Sequence, residues 1–114
     1  MFRLGPSAEI PPWALASPTT FTSLTRTGGE LSLMVPAHVV PTDVEAEGRW
    51  FCLGIDDQFE LDVPGIANSV LAPLASAGQS VFVVATFDTD YFLVRDVAAA
   101  ATVLEAAGHR VLLA

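Results

Sequence analysis

The segment from Gln58 to Val94 limits the possible folds of this chain more than any other part. Apolar and acidic residues alternate from Phe59 to Val63, a pattern typical of a strand with one buried face. Pro64-Gly65 predicts a corner, because proline cannot donate a hydrogen bond to a ladder and glycine tolerates a sharp turn. The residues that follow predict a helix with a single apolar stripe, formed by Ile66, Val70, Leu71 and Leu74.

The second part of this segment predicts two strands joined by a tight turn. Pro73 lies inside the helical pattern, where it removes a backbone hydrogen bond and predicts a bend. The uninterrupted apolar run Val81–Ala85 predicts a strand that is central in a sheet or covered on both faces. Residues 87–90 then predict a turn into an antiparallel partner strand at Tyr91–Val94.

A second helix and a last strand complete the predicted domain. Asp96 is a favourable N-cap for a helix over Val97–Ala107, whose alanines have high helix propensity. Gly108 predicts the end of that helix, and Val111–Leu113 predicts a strand. The order strand, helix, strand, strand, helix, strand predicts an α+β fold, with two helices on one face of a four-stranded antiparallel sheet.

The upstream residues predict shorter elements. These are strands at Phe2–Leu4 and Arg49–Ile55, a helical turn at Pro12–Leu15 with Trp13 on the sheet, and a hairpin of Phe21–Thr27 with Leu31–Val35. Residues 1–56 lack helices that would cover a sheet of their own. We therefore expect two halves, residues 1–56 and 57–114, that share one extended sheet and form one compact unit.

Several short motifs resemble those of a known family. Pro64–Ala67, the LAPL of residues 71–74, Ala77-Gly78 and above all the TFDTDY of residues 86–91 resemble ACT domains of small bacterial proteins related to the animal cytosolic arginine sensors. Residues 21–36 resemble a degenerate first ACT-like half. The resemblance implies a ferredoxin-like βαββαβ domain preceded by that half, and a role in amino-acid sensing.

A free amino acid needs partners for one carboxylate and one ammonium group. The N–H groups at the helix start after Pro64-Gly65 suit a carboxylate, and an aspartate in the hairpin suits the ammonium group or a basic side chain. The resemblance favours Asp90 over Asp88 for this role. The candidate ligand-binding residues are Pro64, Gly65, Ile66, Ala67, Thr86, Phe87, Asp88 and Asp90.

Each of these features also has a purely structural explanation. Aspartate is common in tight turns, every helix begins with free N–H groups, and Phe87 suits a hydrophobic core as well as a pocket wall. We expect the Pro64-Gly65 corner and the hairpin to lie at opposite ends of the sheet. A pocket would then need two paired units, either the two halves of one chain or two copies of it.

Composition narrows the possible functions. The 114 residues carry a formal net charge of −8, which argues against nucleic acid and anionic membranes because both attract basic surfaces. No apolar segment is long enough to cross a bilayer, and no signal-peptide core follows Met1, so we expect a cytoplasmic protein. The single cysteine, Cys52, is expected to be a buried strand residue.

No motif indicates catalysis. His38 and His109 lie far apart, and neither metal-ligand spacing nor a phosphate-binding loop is present in the sequence. We therefore expect a non-enzymatic regulatory module that binds an amino acid, requires no cofactor or metal, and forms a homodimer. The alternative is a ligand-free interaction module that pairs with an enzyme or a transporter.

Overall fold

The computed structural model describes residues 1–16, 21–55 and 65–112. The chain divides into two compact units, Met1–Arg49 and Trp50–Ala114. The described strands form two antiparallel three-stranded sheets, accompanied by two α-helices. These elements confirm the predicted α+β class. The predicted strand at Phe59–Val63 lies outside the described residues.

The first unit is a sheet covered by a short helical segment. Its strands are β1 (Phe2–Leu4), β2 (Ser23–Arg26) and β3 (Leu31–Met34), in the order β1-β3-β2. A 3-10 turn at Pro12–Leu15 covers one face, and the Trp13 ring lies 5.1 Å from the Phe2 ring. The buried core consists of Phe2, Ala14, Leu31 and Leu33. The predicted strands, turn and Trp13 packing are confirmed, although β2 and β3 are shorter than predicted.

The second unit contains both α-helices. Its elements are β4 (Phe51–Gly54), α1 (Ile66–Ser76), β5 (Val81–Ala85), β6 (Asp90–Val94) and α2 (Val97–Ala106). The sheet order is β4-β6-β5. Both helices pack on one face of this sheet around a buried core of Leu74, Val94, Ala100 and Leu104. Helix α1 continues through Pro73 to Ser76.

Several predictions for this unit are wrong. Strand β5 is at the edge of the described sheet, with Phe82 and Val83 exposed, whereas β6 is central. An apolar run shows that a segment is strand-like but not which neighbours it pairs with. Cys52 lies on β4 but is exposed. Residues 111–112 are not part of a strand, and Leu113 lies outside the described residues.

The described strands form two separately hydrogen-bonded sheets, not the single extended sheet that we expected. Within the described ranges, β1 to β3 pair only with one another, as do β4 to β6. Both sheets nevertheless use the same order, in which the third strand lies between the first and the second. A degenerate duplication, with halves at 1–56 and 57–114 forming one compact unit, stays a prediction.

The strand directions correct our expectation about the two ends of the second sheet. Strands β4 and β5 both pair antiparallel with β6, so they run in the same direction. Gly54 at the end of β4 pairs with Tyr91, and Ala85 at the end of β5 pairs with Asp90. Gly54, the last residue of β4, and the β5–β6 hairpin therefore lie at the same end of the sheet. The chain returns through α1 before β5 starts.

Both helices end in the same hydrogen-bonded motif. After α1, Gly78 has φ +72°, and the N–H groups of Gly78 and Gln79 donate to Ala75 and Leu74, each at 3.0 Å. After α2, Gly108 has φ +99°, and equivalent bonds of 3.0 Å run from Gly108 to Glu105 and from His109 to Leu104. These are Schellman motifs, which use glycine because the left-handed conformation is unfavourable for other residues.

Candidate ligand-binding site

The start of α1 presents backbone donors without a side-chain cap. Gly65 is the N-cap, with φ +85°, and it has no side chain that could accept from the first turn. A Cβ placed on Gly65 would meet no atom of the described residues within 4 Å. Ile66 and Ala67, the first two helical residues, are half-buried. Pro64 lies outside the described residues.

The β5–β6 hairpin is fixed by one threonine. The Thr86 N–H donates to the Thr89 carbonyl at 2.8 Å, and the Thr86 hydroxyl donates to the same carbonyl at 2.9 Å. The hydroxyl oxygen also accepts from the Thr89 N–H at 3.2 Å. Thr86 therefore has a structural role in the turn, whatever contact it makes with a ligand.

The tip of this hairpin is exposed. Phe87 is 86% exposed, so the alternative that it belongs to the core is wrong. Asp88 is also exposed, which is usual for an aspartate in a tight turn. These two side chains are accessible to a ligand or to another protein.

Asp90 differs from Asp88 in both position and burial. It is the first residue of β6 and is half-buried. Alternation along the strand places its side chain on the same face as Phe92 and Val94, the face on which the helices pack. No hydrogen bond or ion pair joins its carboxylate to another described side chain.

The topology brings the start of α1 and Asp90 to the same end of the sheet. Leu74, near the end of α1, packs with Val94 and Val81 at the opposite end. The 11 residues of α1 span about 16 Å, which is close to the length of a five-residue strand. Since β4 and β5 run in the same direction with α1 between them, the chain returns over the sheet through α1. This direction brings the N-terminus of α1 toward the Asp90 end, and Val70 and Leu74 of α1 pack on the face that carries the Asp90 side chain.

The predicted hairpin of the first unit has a turn similar to that of the β5–β6 hairpin, and this likeness was not predicted. The Thr27 N–H donates to the Glu30 carbonyl at 2.8 Å, and the Thr27 hydroxyl accepts from the N–H groups of Gly29 and Glu30 at 3.2 Å each. Thr27 and Thr86 therefore occupy equivalent positions in the two sheets. The available sequence signal was a threonine four residues before the next strand, Thr27 before Leu31 and Thr86 before Asp90.

The face of the second sheet opposite the helices carries an aromatic cluster. The Trp50 ring lies 4.4 Å from the Phe82 ring, and the Arg95 guanidinium lies 4.2 Å from the centre of the Trp50 ring. This is the geometry of a cation–π contact. Among the described residues, the buried indole N–H of Trp50 has no hydrogen-bond partner. The sequence does not indicate that these residues meet, because Trp50 precedes β4 and Phe82 lies on β5, and β6 separates these two strands.

Two other kinds of site are absent from the described residues. Within ranges 1–16, 21–55 and 65–112, no group of three or more His, Cys, Asp or Glu side chains could hold a metal ion. In the same part of the chain, no helix has the length and apolar character needed to cross a membrane.

Comparison with known proteins extends these findings. The X-ray crystal structure of protein Atu0741 from Agobacterium tumefaciens, a structural genomics target, has a TM-score of 0.88 and 41% sequence identity to this chain. The alignment covers 98% of this chain and 84% of that protein. No curated protein matches the sequence.

The family match covers most of the second unit and the residues just before it. The ACT domain family matches residues 45–106, which is more than half of the chain. This family consists of regulatory small-molecule-binding modules rather than catalytic ones, and its ferredoxin-like fold agrees with the sheets and helices observed. The comparisons give no support for a specific relation to the animal arginine sensors. The chain belongs to the ACT domain family.

Proposed function

We propose that this protein is a non-catalytic regulatory module that binds a free amino acid where α1 begins. The proposal rests on two complementary groups that the strand directions bring toward one end of the second sheet. The uncapped first turn after Gly65 offers N–H donors, and Asp90 offers a carboxylate on the same face. An α-amino acid carries the opposite pair of charges.

The chemistry of each contact favours a zwitterion. The ligand carboxylate would accept hydrogen bonds from the first-turn N–H groups, where the helix dipole contributes about 0.3–1 kcal/mol. The ligand ammonium group would donate to Asp90 in a charge-assisted bond, typically worth about 1.5–3 kcal/mol. Both groups are common to all amino acids, so these contacts select the class of ligand and not its side chain.

The hairpin tip is the part of the site that would select a side chain. Phe87 offers an exposed apolar surface and Asp88 an exposed negative charge. Thr86 holds this tip through its hydrogen bonds to Thr89. Pro64 at the corner, together with Ile66 and Ala67 in the first turn of α1, would form the other wall. No single amino acid is part of the proposal.

Assembly as a homodimer belongs to the same proposal. Strand β5 is an edge strand of the described sheet, carries no charged residue and exposes 41% of Phe82 and 40% of Val83. Apolar edge strands without charges readily pair with another strand. We also propose a cytoplasmic location, which is compatible with the single unpaired thiol of Cys52.

The second candidate is an interaction module without a ligand. The exposure of Phe87, 86%, favours it, because an isolated aromatic side chain at a hairpin tip suits a protein pocket as well as a small molecule. In that case Asp90 and the start of α1 would remain solvated, and an enzyme or transporter would cover the hairpin.

A thermal-shift screen against the twenty amino acids tests the proposal. A ligand at about a hundred times its dissociation constant stabilises the folded protein by about 2.7 kcal/mol, which raises the melting temperature by several degrees in a domain of this size. The best ligand is then compared by calorimetry with its N-acetylated and carboxamide derivatives. The proposal requires that each derivative bind more weakly. A folded protein that responds to none of the twenty would favour the interaction module.

A further inference from the structure

Pro73 leaves one carbonyl of α1 without its regular donor. In an α-helix the N–H of each residue donates to the carbonyl four residues earlier, so the partner of position 73 is the Ser69 carbonyl. Proline has no N–H, and it lies inside α1 at this position. The Ser69 carbonyl oxygen instead lies 2.7 Å from Nε2 of His109, a residue 40 positions later.

The contact fixes the role of the histidine ring. A carbonyl oxygen can only accept a hydrogen bond, so Nε2 must carry the hydrogen. The neutral Nε2–H tautomer and the protonated ring both satisfy this requirement. His109 therefore supplies the donor that Pro73 cannot supply.

The end of α2 fixes where His109 stands. It is the residue that closes the Schellman motif, with its own N–H donating to the Leu104 carbonyl at 3.0 Å. Gly108, with φ +99°, makes the preceding turn. Since Leu104 is buried in the core with Leu74 of α1, the backbone of His109 is held beside α1 before its side chain makes any bond.

We propose that His109 is a positioning residue that holds the first turn of α1 in the geometry needed for ligand binding. Ser69 belongs to that turn, because its N–H donates to the Gly65 carbonyl at 2.9 Å and its hydroxyl donates to the Ile66 carbonyl at 2.7 Å. A bond from α2 to the Ser69 carbonyl therefore restrains the residues that present N–H groups to the ligand. The ligand-binding part of this inference rests on the proposed function.

A double-mutant cycle tests the hydrogen bond without any ligand. His109→Ala should lower the folding equilibrium constant by roughly three- to tenfold, the usual loss for one hydrogen bond. Pro73→Ala restores an N–H donor to Ser69, so His109→Ala should cost less than about twofold in that background. Equal losses in the two backgrounds, measured by urea unfolding, would show that His109 does not replace the missing donor.

Hydrogen exchange locates the effect. If His109 restrains the first turn, His109→Ala should accelerate exchange of the Ser69 and Val70 amides more than that of amides within α2. The double variant with Pro73→Ala should restore their protection. Uniform acceleration across both helices would indicate general destabilisation and would overturn the positioning role.

The ligand experiment uses an equimolar mixture of the twenty amino acids as the probe. The thermal shift caused by this mixture should fall by at least half in His109→Ala and return in the double variant with Pro73→Ala. Gly78→Ala is the matched control. Gly78 closes α1 with φ +72° just as Gly108 closes α2, but the residue after it is Gln79 and not a histidine. Gly78→Ala should lower the melting temperature and leave the shift unchanged.

The outcomes separate this inference from the proposed function. If the unaltered protein shows no shift with the mixture, the proposed function is wrong and the positioning role falls with it, although the cycle still decides the hydrogen bond. If the unaltered protein shifts and His109→Ala shifts equally, the proposed function stands and the positioning role is wrong.

Discussion

Exchanging Asp90 for asparagine separates ligand binding from folding. The substitution removes one negative charge, keeps the side-chain shape and retains a carbonyl oxygen that can accept a hydrogen bond. The Asp90 carboxylate forms no hydrogen bond or ion pair with another described residue. We therefore expect the free energy of unfolding to change by less than about 0.5 kcal/mol.

The expected loss in affinity follows from the chemistry of the contact. A charge-assisted bond is worth about 1.5–3 kcal/mol and a neutral bond about half as much, so Asp90→Asn should cost about 0.8–1.5 kcal/mol of binding free energy. This corresponds to a roughly four- to twelvefold increase in the dissociation constant. Because Asp90 is half-buried, salt screens this interaction less than it screens an exposed one.

Asp88→Asn is the matched control. It makes the same chemical change two residues away, at an exposed position of the same hairpin. With an amino acid that has an uncharged side chain, we expect less than about a twofold change in the dissociation constant, since exposed charges interact weakly through water. Calorimetry at physiological salt measures both affinities, and urea unfolding measures both stabilities. Unchanged affinity in Asp90→Asn, or equal losses in the two variants, would refute the assignment of Asp90 to the site.

Two further substitutions and one alkylation experiment test the second unit. Leu74→Ala should destabilise the protein by about 3 kcal/mol in urea unfolding, because Leu74 is completely buried and its removal leaves a cavity. Asp96→Ala should cost about 1 kcal/mol, since the Asp96 carboxylate caps α2 by accepting from the Ala99 N–H at 3.0 Å, and circular dichroism should detect the earlier loss of helix. Desolvation raises the pKa of the Cys52 thiol, so alkylation at mildly alkaline pH should be slower in the folded protein than in urea. The unfolded thiol loses its proton first as the pH rises, so the contribution of Cys52 to the free energy of unfolding should fall above the pKa of the free thiol. Equal alkylation rates in the two states would contradict this expectation.

Local chemistry made much of the second unit predictable. Asp96 is an N-cap and Gly108 is a helix end because each satisfies backbone groups within a few residues of itself. The β5–β6 hairpin follows from turn residues between two apolar runs. The same reasoning identified the hairpin of the first unit, where glycines follow Thr27. Such features depend on few long-range contacts, so their residues indicate them directly.

The arrangement of the site depended on information that local patterns lack. The run Val81–Ala85 suits a central strand, but β6 takes the centre because its hairpin with β5 and its pairing with β4 use both of its edges. Our expectation that the corner and the hairpin lie at opposite ends failed because it did not follow the strand directions. Those directions are what bring Asp90 and the start of α1 to the same end.

The sequence by itself determined the strand and helix segments, their caps and turns, and the kinds of group available to a ligand. Hydrogen bonds and apolar periodicity over a few residues are sufficient for these features. Only the tertiary structure decided which strand is central, that Cys52 and Phe87 are exposed, and that His109 donates to Ser69 in place of the N–H absent from Pro73. Those outcomes depend on the packing of elements distant in sequence, which no local pattern encodes.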